Sequence, residues 1–108
     1  MSVYLEISEG TVSVLPRDHI DRDIYEITVA WRGTDRWAVC RMRQCLGSDG
    51  EWDYESIPSE RSEEWLATHR FSYEEAVSLA VKAAPDVTCN GRVARDHPDA
   101  PREAPDAA

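Results

Sequence analysis

The stretch from Ile24 to Leu46, IYEITVAWRGTDRWAVCRMRQCL, decides the fold. Its first part puts Tyr25, Ile27, Val29 and Trp31 on one face and Glu26 and Thr28 on the other, the two-residue period of a half-buried strand. Arg32, Gly33, Thr34 and Asp35 then supply turn residues. From Trp37 to Leu46 the alternation resumes, with Ala38, Cys40, Met42 and Leu46 on one face and Trp37, Val39, Arg41 and Arg43 on the other. Two strands joined by so short a connection make an antiparallel hairpin.

The same period extends outward in both directions. Ser2 to Ile7 alternates Val3, Leu5 and Ile7 against Tyr4 and Glu6, Gly10 reads as a turn, and a short apolar run from Thr11 to Leu15 ends at Pro16. Residues 17–23 are polar around Ile20, a loop composition. On the other side, Gly47-Ser48-Asp49-Gly50 turns into a short acidic strand over Glu51–Ile57, where Trp52 and Tyr54 alternate with Glu51, Asp53 and Glu55. The result is an antiparallel meander with one face packed on something apolar.

Helices supply that cover. Glu60 to His69 reads as a short helix, with acids in its first turns and His69 at its end, covering the sheet edge. Ser72-Tyr73-Glu74-Glu75 is a capping box with Phe71 at the staple position, and Pro85 stops the helix it opens. Tyr73, Ala76, Val77, Ala80 and Ala84 form its apolar stripe, whose alanines allow close approach to the sheet. Asp86 to Cys89 adds a further short strand candidate before the turn signal Asn90-Gly91. The reading is a single α+β domain over residues 1–91: a meander of four or five strands with one or two C-terminal helices packed on one face. Residues 92–108, an acidic Pro- and Ala-rich stretch with Val93 its one sizeable apolar group, are expected to be a disordered tail.

Composition narrows the function. Twenty-one acidic against twelve basic residues in 108 give a net charge of −9, which disfavours direct nucleic-acid binding through a basic face. No apolar run is long enough to span a bilayer and no signal peptide opens the chain, so the expected compartment is the cytoplasm, with no membrane partner. Phosphate loops, nucleophile elbows, zinc-binding His-Glu-x-x-His pairs and calcium loops are missing, which argues against an enzyme and against any cofactor or metal. The three cysteines, Cys40, Cys45 and Cys89, read as reduced thiols; within one continuous strand, Cys40 and Cys45 point to opposite faces and do not bridge. Of the four tryptophans, Trp31 and Trp65 are expected to be mainly buried and Trp37 exposed.

Two features suggest recognition. Asp49, Glu51, Asp53 and Glu55 concentrate negative charge along one strand, and Trp37 with Arg36, Arg41 and Arg43 forms the one basic and aromatic cluster. The candidate partner-binding residues are therefore Asp49, Glu51, Asp53, Glu55, Trp37, Arg41 and Arg43.

The segments Arg36-Trp37-Ala38-Val39, Cys45-Leu46-Gly47, Gly50-Glu51-Trp52-Asp53-Tyr54-Glu55, Glu64-Trp65-Leu66, Arg70-Phe71, Glu75-Ala76 and Ala84-Pro85-Asp86-Val87-Thr88 resemble uncharacterised small acidic proteins of actinobacteria and their phages. That resemblance implies no activity. Trp37-Ala38-Val39, Gly47 and Phe71-Ser72-Tyr73-Glu74-Glu75-Ala76 more loosely resemble the arm-binding module of tyrosine-type phage integrases, a three-stranded sheet packed on one helix. This second resemblance implies DNA contact through Arg36, Arg41 and Arg43, although the chain inserts an acidic helix at Ser59–Arg70 and lacks a basic sheet face. The expectation is a non-enzymatic, phage or mobile-element accessory protein that binds a protein partner through an acidic surface. A DNA mimic or an integrase-like DNA-binding module is the alternative, and homodimerisation through the open sheet face is left open.

Overall fold

Alternation, turn residues and one well-capped helix combine into an α+β fold in the computed structural model, which describes residues 3–101. The five strands β1 (Glu9–Val12), β2 (Ile27–Trp31), β3 (Trp37–Arg41), β4 (Gln44–Leu46) and β5 (Trp52–Tyr54) form one antiparallel sheet in chain order. Helix α1 is Glu63–His69 and helix α2 is Tyr73–Ala83. A two-stranded ribbon, β6 (Thr88–Cys89) and β7 (Arg92–Val93), turns through Asn90 and Gly91, both at positive φ (50° and 78°), the backbone that an Asn-Gly hairpin turn adopts. No helix among the described residues is long and apolar enough to cross a membrane.

The main core lies between α2 and the sheet face bearing Ile27, Val29, Val39 and Leu46, closed by Leu15, Tyr25, Ala84 and Val87. Ala76 and Ala80 are fully buried, so it is their small side chains that bring α2 close to the strands. The capping box is formed in both directions, Ser72 Oγ accepting from the Glu75 amide and Glu75 Oε1 from the Ser72 amide, each at 3.2 Å.

The opposite face is covered by α1 rather than left open. Trp65 packs on Ala38, Cys40 and Cys45. The chain passes from one face to the other beside β3: β4 pairs only with Cys40 and Arg41, so the edge at Trp37 is free to exchange backbone hydrogen bonds with Phe71 (2.8 and 2.9 Å). The switch explains the tryptophans. Trp37 is half-buried, edge-on to Tyr73 at the start of α2 (4.9 Å between ring centroids), while Trp31, directly opposite it at the end of β2, is 51% exposed. Burial of Trp31 and exposure of Trp37 were the sequence expectations, and the structure reverses them.

Three further corrections follow from register. First, the Ile24–Trp31 strand begins only at Ile27, because Arg22–Tyr25 forms a 3₁₀ turn. Second, Gly10 lies within β1 and is no turn, and residues 3–7 form no strand despite their alternation. The pairing Glu9 with Ala30 and Val12 with Ile27 places Ile7 opposite Arg32, where β2 has already ended. Third, Trp37 to Leu46 is a hairpin and not one strand. Met42 takes φ 57° at the first of two turn positions, and the chain folds back so that Cys40 pairs with Cys45 and Arg41 with Gln44.

The tail expected from residue 92 is held on the fold through Ala100; residues 102–108 and the start of the expected Ser2 strand lie outside the described residues. Ala94 is fully buried and its amide donates to Val87 O at 2.7 Å. Two His-x-Asp units then clasp each other. The Asp21 amide donates to His19 Nδ1 and the Asp99 amide to His97 Nδ1, each at 3.0 Å. Both Nδ1 atoms are therefore acceptors, and the Nε2–H groups donate across, His19 to Asp99 (2.8 Å) and His97 to Asp21 (2.9 Å). The His19 hydrogen bond holds the Asp99 carboxyl below its ordinary value.

Candidate functional site

The seven candidate binding residues separate into three environments. Asp49 and Glu51 are exposed, and Asp49 Oδ1 accepts from the Glu51 amide (3.0 Å) as a turn former. Arg41 is tied down, Nη2 donating to Ile24 O at 2.6 Å with its buried Nε unpartnered among the described residues; Arg43 is exposed. Trp37 serves the core.

Asp53 and Glu55 belong to a third environment. On β5, Trp52 and Tyr54 take the α2 face, so Asp53 and Glu55 take the α1 face beside Cys45, which Asp53 pairs directly. Asp53 Oδ2 accepts from His69 Nε2 at 2.7 Å, and His69 is buried, stacked on Trp65 with 4.1 Å between centroids. Gly47 makes this approach possible, because a Cβ there would lie 3.1 Å from His69 Nε2 and 2.9 Å from Asp49 Oδ1.

Glu55 sits inside a ring of three arginines. Arg70 Nη2 donates at 2.7 Å and Arg32 Nη2 at 3.1 Å, and Arg61 Nη2 lies at 3.6 Å. Arg70 also lies over the Trp65 ring, 5.2 Å from its centroid. Burial alone would raise the Glu55 carboxyl; the hydrogen bond and charge of Arg32, with help from the Cys45 thiol and Arg70, outweigh it and bring it down to about 2. Arg32 is raised in turn, first by its hydrogen bond to Glu55.

Beside this ring lie the two thiols. Cys40 Sγ and Cys45 Sγ are 3.2 Å apart, and Arg32 Nη2 is 3.7 Å from Cys40 Sγ. The hydrogen bond offered by the Cys45 thiol lowers Cys40, against burial and the charge of Glu55, which raise it, and with smaller help from Arg32 and Arg70. That same bond and burial raise Cys45. The pair overturns the expectation that these cysteines point apart: the turn at Met42 and Arg43 contains no Gly, Asn, Asp or Pro to announce it, and reading the segment as one strand set five positions apart side chains that directly face each other. Cys40, Cys45 and Glu55 also offer three donor atoms within 4.8 Å of one another, but both Glu55 oxygens are engaged by guanidiniums that a cation would have to displace.

Two other assemblies bring reactive side chains together. A cleft of about 310 Å³ gathers Asp21, Tyr25, Cys89 and His97, yet both His97 nitrogens are committed, to the Asp99 amide and to Asp21, so neither is free to activate Cys89. His19, His97 and Asp99 converge at metal-ligand spacing, but a metal on Nε2 would move each ring proton to Nδ1, against a backbone N–H. A further surface feature is the segment leading into β1, where Val3, Tyr4, Leu5 and Ile7 are 87%, 80%, 91% and 70% exposed and β1 is an outer strand of the sheet. Sequence alternation pointed to this segment, but without the register its lack of a partner was hidden.

Comparison of the chain with protein-family models, with curated proteins and with solved structures found no match.

Proposed function

We propose that the protein is a non-enzymatic binding module that donates the segment at residues 3–7, continuous with β1, as a strand to the sheet edge of a protein partner. The observation that carries this reading is the exposure of Val3, Leu5 and Ile7 at 87%, 91% and 70% in a segment that alternates like a strand, forms no helix or strand of its own and has no strand beside it among the described residues. Backbone hydrogen bonds would supply affinity, and the pockets receiving these three side chains would supply specificity. Each such side chain, once covered, contributes about 1.5–3 kcal/mol before the cost of ordering the chain.

Charge sets the chemistry of the partner. Glu6 and Glu9 flank the apolar positions and the chain carries −9, so the complementary edge has a basic rim, and a second copy of this chain is repelled. The exposed acids Asp49 and Glu51 lie by the opposite sheet edge, at β5, where they keep the surface hydrated.

The test is affinity capture from the native host with mass spectrometry, using the full chain, a Val3→Ser/Leu5→Ser/Ile7→Ser variant and an Asp49→Asn/Glu51→Gln variant. The triple serine variant is expected to keep its thermal stability, since these side chains touch little, and to lose the captured partner; the amide variant retains it. An unchanged capture by the serine variant refutes the proposal, and so does sedimentation showing that the segment instead pairs two copies of the chain.

A further inference from the structure

We infer that Cys40 and Cys45 form a redox site: hydrogen peroxide converts the two thiols to a disulfide across the β3–β4 hairpin, with Cys40 as the attacking sulfur. The site goes beyond the binding reading and stands independently of it.

The backbone prepares the bond. With Arg41 and Gln44 closing a two-residue hairpin, Cys40 and Cys45 fall at the next pair, which does not exchange backbone hydrogen bonds and brings its side chains closest. Cα atoms at such a pair are about 4.5 Å apart, inside the range a disulfide accepts. The sulfurs already lie 3.2 Å apart, so small χ1 changes suffice.

The surroundings divide the labour between the two thiols. Arg32 touches Cys40, and it is the most exposed of the three arginines at 31%, against 16% for Arg61 and 5% for Arg70. Cys45 is fully buried and faces Glu55 and Asp53, whereas Cys40 retains 8% exposure. A small oxidant therefore meets Cys40 first, where a guanidinium stabilises the thiolate, and Cys45 waits behind it as the resolving thiol. Three arginines around one glutamate leave the cluster with net positive charge before any thiolate forms. An anionic Cys40 offsets part of that charge.

The chemistry balances in two steps. The Cys40 thiolate attacks one peroxide oxygen; an S–O bond forms, the O–O bond breaks, and the departing hydroxide takes up a proton as water. Cys45 then attacks the Cys40 sulfenic sulfur; the S–S bond forms, the S–O bond breaks, and the second hydroxide leaves as water with the Cys45 proton. The two sulfurs give up two electrons and the peroxide accepts them. A dithiol reductant reverses the state by thiol–disulfide exchange.

The experiment treats the reduced full chain with hydrogen peroxide, followed by trypsin digestion and mass spectrometry. Trypsin cuts after Arg41 and Arg43, so the disulfide joins the peptide carrying Cys40 to the one carrying Cys45 until a reductant separates them. In Cys45→Ser, dimedone is expected to trap a sulfenic acid at Cys40, while Cys40→Ser gives no adduct at Cys45. Arg32→Gln slows linkage about tenfold, the loss of one charge-assisted hydrogen bond to the thiolate. Linked peptides still missing when Cys89 is fully oxidised overturn the inference, as does an adduct at Cys45 in place of Cys40. If a serine variant does not fold, alkylation of the wild-type chain decides: Cys40 modified before Cys45 supports the assignment, and the reverse order overturns it.

Discussion

Replacing Glu55 by Gln removes the one anion inside the arginine ring while keeping the side chain's shape. The three guanidiniums then face each other with side-chain exposures of 5%, 16% and 31% for Arg70, Arg61 and Arg32. Arg70 and Arg61 keep carbonyl partners, at His69 (2.9 Å) and Ser56 (2.7 Å), so the loss is of charge compensation more than of hydrogen bonding. Breaking a fully buried pair costs about 3–5 kcal/mol, and partial hydration of Arg32 and Arg61 lowers the expectation to about 2–4 kcal/mol. Urea unfolding followed by tryptophan fluorescence reads this as a lower midpoint at unchanged slope.

The same carboxylate gives the wild-type protein an acid signature. Its folded value, about 2, lies below the ordinary value of 4.5, so its contribution is fully present above about pH 4.5 and is lost as pH falls toward 2. The Gln variant lacks that component and is expected to show a shallower fall in stability over this interval. A penalty below about 1 kcal/mol, or an acid slope identical to that of the wild type, would refute the account of the ring as a compensated buried charge.

Gly47→Ala forces a Cβ to within 3.1 Å of His69 Nε2 and 2.9 Å of Asp49 Oδ1, and His69 is buried and stacked on Trp65; calorimetry is expected to show a loss of about 1–3 kcal/mol. Ala80→Leu, at a fully buried position of α2 against the sheet, destabilises by about 1–3 kcal/mol through overpacking, read from chemical denaturation, whereas Val81→Leu on the exposed side of the helix is neutral. Ending the chain after Gly91 removes β7, Ala94 and the His97 half of the histidine–aspartate clasp, and should cost about 2–3 kcal/mol in a thermal melt; an unchanged midpoint would return this segment to a passive tail.

What the sequence disclosed depended on whether a local pattern carried the information. Val29 and Val39 alternate with their neighbours and pair across the expected hairpin, and Ser72 with Glu75 announced α2 through side-chain chemistry that acts within one turn. Position along the strands was harder, because strand length depends on the partner: Val3, Leu5 and Ile7 alternate correctly, but β2 has ended before it can meet them. The Cys40–Cys45 pair was hidden for a related reason, since a turn through Met42 and Arg43 uses no turn-forming residue and shifts every cross-strand neighbour after it. The packed segment after residue 92 was missed because Ala94 fills its site with a methyl group and leaves little hydrophobic signal, although the repeated His19-Ile20-Asp21 and His97-Pro98-Asp99 spacing was available. Arg32, Arg61 and Arg70 meet at Glu55 only through tertiary structure.

A net charge of −9 invited the reading that the strand of Asp49, Glu51, Asp53 and Glu55 is one acidic surface, yet the sheet's two-sidedness divides it. Glu55 alone is turned inward, neutralising arginines; Asp53, its side chain 49% exposed, fixes a histidine at the rim, and Asp49 and Glu51 face solvent. The total charge governs what approaches the molecule out to about one Debye length, 8–10 Å, beyond which salt screens it. Around Glu55, beside the cysteine pair, the sign is opposite, because Arg32, Arg61 and Arg70 outnumber Glu55, and Arg32 also reaches Cys40. An acidic chain can therefore hold a cationic interior site suited to a thiolate, and mutation of its surface acids should leave the peroxide reactivity of that site unchanged while altering the salt dependence of partner binding.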